Sequence, residues 1–325
     1  MKRYDVQLGD TLQTIATRFK TTPQAILQHN PAVQGIAPTA RLSPGLVLWI
    51  ADANDHAPAT LPPLTSQSYR PRIPPQPQWG LHESLLLNPD QTGTPEFELR
   101  IVILLFLRKM EPVGASETVD IGWRKAVPIT PWPPGTFEAF QHNAKVKAEA
   151  FWSHRFRLWP PSDHTALNWP TGAGGSLRSV ACTLALQLVP NPTSASSSIR
   201  CYRRALGETT TALDSAHWTD AVLEDHAPDP LKNRLGRVVP TVNATLAHEV
   251  GHLLGLSHSA CQGDAQQCYG AGGEDWQIQN VMGAGSQVNR TNATPWLECI
   301  EKHTGIAADR WTLHTLDQHG NPLYL

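Results

Sequence analysis

Three histidines in the second half of the chain have the spacing of a catalytic metal site. His248 and His252 are four residues apart within residues 241–254, which the apolar spacing predicts to be a helix. At 100° per residue their side chains lie about 40° apart on one face, so both imidazoles can reach one ion. Gly255 predicts a sharp helix end, after which His258 can return as a third ligand. Three protein ligands leave a fourth position for water, which is typical of catalytic zinc rather than structural zinc.

Glu249 directly follows the first predicted ligand and is the candidate general base. A carboxylate beside the open position can take a proton from water and pass it to a leaving amine. The alternative is an amphipathic helix with incidental histidines, but this requires the whole His-Glu-x-x-His-x-x-Gly-x-x-His pattern to arise by chance. The other histidines, among them His142, His154, His217 and His226, have no ligand spacing and are predicted to be surface or core residues.

A methionine is the second feature of this region. The chain has three methionines, and Met282 lies in an Asn-Val-Met-Gly segment at 280–283. The histidine pattern followed by this segment is similar to the metzincin superfamily of zinc peptidases. The resemblance implies that Met282 forms an apolar floor under the three imidazoles, that Zn²⁺ is the cofactor and that proteins or peptides are the substrates. The sequence departs from the family at Ala284, where some metzincins have a tyrosine, so Glu249 and the metal are left to carry the chemistry.

Residues 96–325 are predicted to form the catalytic domain, which belongs to the α+β class. The resemblance implies a mixed sheet, an active-site helix beside a zinc cleft and a C-terminal subdomain that contains the methionine turn. Apolar spacing predicts the order strand, helix, three strands, helix. The predicted elements are strands at 98–107, 179–189, 197–203 and 218–223, a helix at 135–156 and the active-site helix at 241–254.

Residues 1–50 are predicted to form a small unit with the order strand, helix, helix, strand. An alternating strand at 3–7 precedes a Gly-Asp-Thr turn that can cap the first helix. Pro23 can open the second helix, an Asn-Pro pair ends it, and residues 46–50 form the closing strand. The positions that define this pattern are Tyr4, Val6, Gly9, Asp10, Thr11, Leu12, Ile15, Ala16, Phe19, Leu27, Asn30, Pro31, Leu42, Gly45, Leu48 and Ile50.

Together these positions resemble a LysM domain over nearly all of residues 4–50. The resemblance implies binding of glycans that contain N-acetylglucosamine, such as peptidoglycan or chitin. The alternative is that the module docks the chain into a phage-like machine. The implied groove lies between two loops and gives the candidate glycan-binding residues Gly9, Asp10, Thr11, Leu12, Asn30 and Pro31.

Residues 51–95 are predicted to be a proline-rich linker. Prolines crowd positions 58–77, where large aliphatic residues are few. Proline-rich sequence stays extended and semi-rigid. Such a linker would keep the second domain close to whatever the first domain binds and raise its effective concentration there.

Composition excludes several classes of function. The 325 residues carry a formal net charge of −2, so we expect no basic surface for nucleic acid. No apolar stretch is long enough to span a bilayer. The first residues lack the apolar region and the cleavage site of a signal peptide, so secretion without a signal peptide is expected.

The five cysteines all lie between residues 182 and 299, and none forms a Cys-x-x-Cys pair. The spacing of Cys261 and Cys268 suits a small loop-closing disulfide, and Cys182 and Cys201 could join two neighbouring strands. Either bond requires an oxidising compartment. The alternative is a set of free thiols in a cytosolic protein.

These features together predict a zinc-dependent endopeptidase that is targeted to peptidoglycan. The leading setting is a secreted bacterial effector or toxin, such as a type VI secretion cargo, that acts in the periplasm of a target bacterium. Its partners would be a protein or peptide substrate, peptidoglycan, and an immunity protein or a component of the secretion machine. Two alternatives stay open: a peptidoglycan stem-peptide hydrolase, and a non-catalytic cell-wall-binding or assembly protein.

Overall fold

The structure is a computed structural model with a mixed α+β architecture. In the part of the chain that it describes, no helix is long and apolar enough to cross a membrane. The described residues are 2–7, 9–28, 30, 33, 36–44, 46–50, 66–69, 82–94, 96–121, 124–164, 167, 169–170, 176–177, 179–208, 212–227, 230–260 and 265–317.

The N-terminal unit has the predicted βααβ order. Strand β1 (Lys2–Asp5) pairs antiparallel with β2 (Val47–Ile50), and helices α1 (Leu12–Arg18) and α2 (Pro23–Gln28) lie between them in the chain. Thr11 caps α1 through reciprocal hydrogen bonds with the third helical residue. The unit has its own apolar core, formed by Val6, Leu12, Ile15, Ala16, Ile26, Val33, Leu42, Leu48 and Ile50.

A long strand, β5 (Phe97–Lys109), organises the main sheet. Its near-continuous apolar run is typical of a strand that is buried on both faces. Strands β11 (Val180–Leu188) and β12 (Ser197–Tyr202) pair with it in parallel. Strand β4 (His82–Leu87) pairs antiparallel with its first half, and β3 (Ser66–Tyr69) pairs with β4.

Short strands complete both sides of this sheet. Beyond β12, β14 (His217–Thr219) runs parallel to β12, and β13 (Ala212–Asp214) pairs antiparallel with β14. On the other side, β8 (Phe156–Trp159) and β17 (Thr312–Thr315) add antiparallel strands. The strand order is β13-β14-β12-β5-β11-β8-β17, so β13 is an edge strand of the described sheet.

Helices α4 (Thr136–Trp152), α5 (Thr245–Leu253) and α8 (Thr294–Thr304) share one apolar core with the sheet. The indole of Trp152 donates a 3.1 Å hydrogen bond to the carbonyl oxygen of Ala247, which ties α4 to α5. Because the Trp152 indole is fully buried, its polar N–H group gains from a partner in the core.

The remaining elements are short and surround this core. Their bounds are α3 (Pro89–Thr92), β6 (Glu117–Ile121), β7 (Arg124–Ile129), β9 (Trp169–Pro170), β10 (Ser176–Leu177), β15 (Leu231–Lys232), β16 (Val238–Val239), α6 (Ala265–Cys268) and α7 (Asp275–Gln279). Strand pairs β6/β7, β9/β10 and β15/β16 are antiparallel.

The predicted linker contains two strands of the main sheet, which corrects the boundary at residue 96. Strands β3 and β4 fall within residues 51–95, and β4 is hydrogen-bonded to β5. The prolines before β4 obscured its Leu-Leu-Leu run in the sequence. The other parts of the predicted linker, 51–65 and 70–81, lie outside the described residues.

Two predicted elements end earlier than expected. The strand predicted at 218–223 stops at Thr219, and the chain continues as a short 3-10 helix. The helix predicted at 135–156 ends at Trp152, because His154 has a left-handed backbone (φ 60°) and the following residues enter β8.

The helix predicted at 241–254 begins later than expected, at Thr245. Asn243 forms an antiparallel bridge with His226, which holds the preceding residues in an extended conformation. The four predicted core strands and this helix are present, so the prediction of an α+β domain is confirmed at that level.

Candidate metal centre

Helix α5 is buried on nearly all sides and lies directly on Met282. From Thr245 to Gly251 every residue of the helix is buried, and Met282 is 1% exposed. A Cβ atom built on Gly251 would lie 2.4 Å from Met282 Sδ and 3.2 Å from Trp152 Cζ2. Only glycine therefore allows the methionine side chain to approach the helix this closely.

The three histidines bring their Nε2 atoms together. His252 Nε2 lies 3.2 Å from His248 Nε2 and 3.2 Å from His258 Nε2. Ligand atoms placed tetrahedrally at roughly 2.0–2.1 Å from one zinc ion are about 3.3 Å apart. The observed spacing therefore fits a single shared zinc ion, and the three side chains form a compact set of metal-ligating groups.

The opposite ring nitrogens fix the tautomers of two of these histidines. His248 Nδ1 lies 2.7 Å from the carbonyl oxygen of Val281, and His252 Nδ1 lies 2.9 Å from that of Leu256. A carbonyl oxygen only accepts, so each Nδ1 carries the proton and each Nε2 keeps a free lone pair. Two lone pairs that face each other at 3.2 Å repel unless a cation lies between them.

Burial keeps the imidazoles neutral. It holds the pKa of His248 well below its ordinary value and lowers the pKa of His252 to about 4, and neighbouring imidazoles add to both effects. The pKa of His258 is also lowered by burial. Neutral imidazole is the form that binds metal, so these side chains need not lose a proton when an ion enters.

Gly255 turns the chain so that His258 can return. Its backbone is left-handed, with φ 92°. Its N–H donates to the carbonyl oxygen of His252, and the N–H of Leu256 donates to that of Gly251, each at 2.9 Å. This is the glycine-terminated helix end that the sequence predicted.

The loop that carries Met282 is joined by hydrogen bonds to the segment after His258. The N–H of Ser259 donates to the carbonyl oxygen of Met282 at 2.9 Å. The N–H of Met282 donates to the side-chain oxygen of Asn280 at 2.8 Å, and the buried amide of Asn280 bonds to Asn292. The loop and the third histidine are therefore held in one unit.

Glu249 is buried and one of its carboxylate oxygens is free. The residue is 6% exposed, and its Oε2 atom has no hydrogen-bond partner in the described part of the chain. Burial, followed by the negative charge of Asp214, raises the pKa of Glu249 to about 8. A carboxyl group with a spare lone pair and a pKa near neutrality is suited to accept and return a proton.

Tyr269 packs against the same histidines and is not part of their sequence pattern. The centroid of its ring is 5.5 Å from that of His248 and 5.1 Å from that of His258. Burial, followed by the charge of Glu249, raises the pKa of Tyr269. No local signal marks this residue, because it comes from a separate segment after the third histidine and lacks helical spacing.

Two further features near the histidines could receive a peptide. Edge strand β13 contacts α5, and the outward backbone groups of an edge strand can pair with an added strand. A cavity of about 310 Å³ adjoins His258 and Met282. Its lining also includes Trp276, Asn292, Pro295 and Glu298.

Three of the candidate glycan-binding side chains point into the N-terminal unit. Asp10 accepts a 2.5 Å hydrogen bond from the hydroxyl of Tyr4 and a 2.9 Å bond from the N–H of Gln7. Leu12 belongs to the apolar core. The buried amide of Asn30 donates to the carbonyl oxygen four residues earlier, at 2.6 Å. These three side chains stabilise the two loops.

The other candidate glycan-binding residues are placed differently. Gly9 is exposed and has a left-handed backbone, with φ 91°. Thr11 is partly exposed and caps α1, while Pro31 lies outside the described residues. Gly9 and Thr11 are therefore the candidates that reach the described surface of the unit.

The predicted bond between Cys182 and Cys201 is wrong, because both are free buried thiols. They lie on β11 and β12, which flank β5 on opposite sides. Two strand spacings separate these strands by roughly 10 Å, beyond the reach of a disulfide. Cys268 is disulfide-bonded, and its predicted partner Cys261 lies outside the described residues.

Residues 4–51 match the family model of the LysM domain. The match covers both helices and the closing strand of the N-terminal unit. It supports binding of peptidoglycan or another N-acetylglucosamine glycan by this unit. No curated protein and no solved structure matches the chain.

Proposed function

We propose that this protein is a zinc-dependent endopeptidase in which His248, His252 and His258 hold the metal and Glu249 is the general base. The observation that carries the proposal is the convergence of three Nε2 atoms, with that of His252 3.2 Å from each of the other two, beside a buried carboxyl with a free oxygen. Incidental histidines on a helix would not have their opposite nitrogens bound to backbone carbonyls and their lone pairs turned towards each other.

The donor set suits zinc. A zinc ion bound there would polarise a substrate carbonyl and lower the pKa of water. The chain's own contribution is to keep the imidazoles neutral by burial and to orient two of them through Val281 and Leu256. The packing of Met282 against Gly251 keeps the inner side of the ligand helix apolar and fixed.

Glu249 would move one proton twice. As the oxygen of a water molecule adds to the peptide carbonyl carbon, the carbonyl π electrons move to oxygen and Glu249 takes a proton from the water. Glu249 then gives that proton to the amide nitrogen as the carbon–nitrogen bond breaks. Its Oε2 atom, which no described residue engages, can hold the proton between the two steps.

Edge strand β13 supports an extended peptide as the substrate. It contacts helix α5, and a peptide that adds to its outer side would gain backbone hydrogen bonds whatever its side chains. The cavity beside His258 could receive one side chain of that peptide. This arrangement favours a protein substrate.

The LysM match suggests where the enzyme works. A glycan-binding unit would concentrate the catalytic domain at peptidoglycan. The disulfide at Cys268 is compatible with an oxidising compartment such as the periplasm. We therefore propose a secreted bacterial effector, such as a type VI secretion cargo, that acts in the periplasm of a target cell and is restrained by an immunity protein in its producer.

Digestion of casein tests the activity. The wild type should cleave casein, and Glu249→Gln should keep its zinc and lose cleavage. The matched control is Glu138→Gln, since Glu138 is an exposed carboxylate in the first turn of α4. Equal cleavage by the wild type and Glu249→Gln would show that Glu249 is not the general base.

Toxicity tests the biological setting. Export of the chain to the periplasm of a test bacterium should slow growth, and Glu249→Gln should abolish the effect. If both versions are harmless in the periplasm, the effector hypothesis is wrong even where the peptidase activity is real.

A second candidate function is hydrolysis of a peptide amide in peptidoglycan itself, which the LysM match favours. The same residues would act on a stem peptide instead of a protein. Release of soluble muropeptides from purified sacculi by the wild type, without cleavage of casein, would select this function. Cleavage of casein with intact sacculi would exclude it.

A further inference from the structure

A tyrosine at the metal centre has no role in the mechanism so far. Tyr269 is partly buried, and its ring packs against the rings of His248 and His258 with tilts of 34° and 52°. No hydrogen bond joins its hydroxyl to any described residue. A phenolic hydroxyl that no described residue engages is available to donate to a group that arrives with the substrate.

Apolar packing holds the ring of Tyr269 in position. Its ring belongs to a small apolar cluster with Val239, Ile278 and Ala284. Ala284 follows Met282 in the loop below the three histidines, so the cluster connects Tyr269 to that loop. Cys268, the preceding residue, is buried and disulfide-bonded.

The segment that follows Tyr269 is also held in place by hydrogen bonds to the β15/β16 hairpin. The N–H of Gly272 donates to the carbonyl oxygen of Lys232, and the N–H of Arg234 donates to that of Gly273, each at 2.8 Å. The amide of Asn233 bonds to Asp275 at 2.6 Å. A donor held this firmly needs little reorganisation during a reaction, which is the condition for strong electrostatic stabilisation.

Several other polar groups of the described residues near the histidines are already engaged. The hydroxyl of Ser259 donates to the carbonyl oxygen of Gln277 at 2.8 Å. The Nδ1 groups of His248 and His252 are bound to backbone carbonyls. Glu249 accepts a proton in the first step and cannot donate one at that moment. Tyr269 is the phenolic donor that the described structure places at this centre.

We propose that the hydroxyl of Tyr269 donates a hydrogen bond to the oxyanion that forms on the scissile carbonyl oxygen, which makes Tyr269 a catalytic residue. The proposal rests on the peptidase function proposed above. The phenol keeps its proton throughout. The carbonyl π electrons move to oxygen as water adds, Glu249 takes the water's proton, and the hydroxyl of Tyr269 stabilises the new negative charge until the carbon–nitrogen bond breaks.

The test is Tyr269→Phe, which removes the hydroxyl and keeps the ring. Loss of one oxyanion donor lowers kcat by about 100- to 1,000-fold. Since the donor acts in the transition state, KM should change little and the zinc content should stay at the wild-type level. The matched control is Tyr4→Phe, which removes a hydrogen-bonded phenolic hydroxyl from the N-terminal unit and should leave cleavage of a soluble peptide unchanged.

A binding measurement separates this role from a structural one. Tyr269→Phe should weaken binding of a phosphinic peptide, which mimics the tetrahedral state, by about the same factor as it lowers kcat. In a Glu249→Gln background, it should leave the affinity for the intact substrate peptide unchanged. A kcat within about threefold of wild type, or a matching loss of zinc or substrate affinity, overturns the proposal. If wild type and Glu249→Gln are equally inactive, the peptidase function fails and this proposal fails with it.

Discussion

Substitution of Gly251 by alanine tests the packing of Met282 against helix α5. Gly251 lies within this helix, where alanine would normally stabilise the protein by about 1 kcal/mol through helix propensity. The new Cβ would lie 2.4 Å from Met282 Sδ, more than 1 Å short of a normal contact. Met282 is buried and cannot move into solvent. Overpacking in a core costs about 1–3 kcal/mol.

Because Sδ belongs to a flexible but buried side chain, the cost should lie near the middle of that range, so Gly251→Ala should destabilise the domain by about 1 kcal/mol net. Met282→Ala alone leaves a cavity and should cost about 2–5 kcal/mol. In the double variant the new Cβ enters the space that the methionine vacates. The combined loss should therefore be smaller than the sum of the single losses by about 1–3 kcal/mol.

The assay is urea unfolding of the metal-free protein, followed by near-ultraviolet circular dichroism of the tryptophans. Metal is removed because a bound ion would stabilise the folded state by mass action and mask differences in packing. If Gly251→Ala raises the free energy of unfolding by about 1 kcal/mol, helix propensity alone determines the effect and Gly251 does not pack closely against Met282. Stability losses in the double variant that equal the sum of the single losses would likewise contradict this contact.

Three further predictions follow from described contacts. His82 is buried between Ser196 and the carbonyl oxygen of Leu253, and burial lowers its pKa to about 4. As the pH falls below 6.5, the unfolded chain therefore binds a proton at His82 that the folded chain does not. Up to about 3 kcal/mol of the free energy of unfolding should be lost as the pH falls from 6.5 to 4. His82→Gln should remove this part of the pH dependence of urea unfolding. Reduction of the disulfide at Cys268 with a phosphine should lower the kcat of the wild type towards that of Tyr269→Phe, because the bond helps to hold the tyrosine in place. The kcat of Tyr269→Phe itself should not change on reduction. An equal loss of kcat in both proteins would argue against a role of the disulfide in positioning Tyr269. Asp10→Ala should weaken binding of the whole chain to insoluble peptidoglycan in a sedimentation assay, because the buried carboxylate of Asp10 organises the loop around Gly9. Unchanged binding would show that the glycan site lies elsewhere.

The helix that carries His248 and His252 could be predicted because its signal is local. Spacing along one helix and a terminal glycine define where two imidazoles point, and the structure shows their Nε2 atoms 3.2 Å apart. The βααβ unit was predictable for the same reason, since its caps, turns and apolar positions lie within fifty residues and match a LysM model.

Features that depend on long-range pairing could not be predicted from one sequence. Strand β4 lies in a proline-rich region, and only its pairing with β5 makes it part of the sheet. The relative order of β11 and β12 on either side of β5 is likewise a property of the assembled sheet, and it is what separates Cys182 from Cys201. Tyr269 reaches the centre through tertiary packing, which leaves no periodic trace in the chain.

The most direct test of the account is the zinc content of the purified chain, measured by mass spectrometry for the wild type, Glu249→Gln and His252→Ala. The account predicts one zinc per chain in the wild type and in Glu249→Gln, and loss of zinc in His252→Ala, because His252 Nε2 is the atom that lies within 3.2 Å of both other ligands. A wild-type chain without zinc, or zinc that persists in His252→Ala, would contradict the central claim that these three histidines form a metal centre.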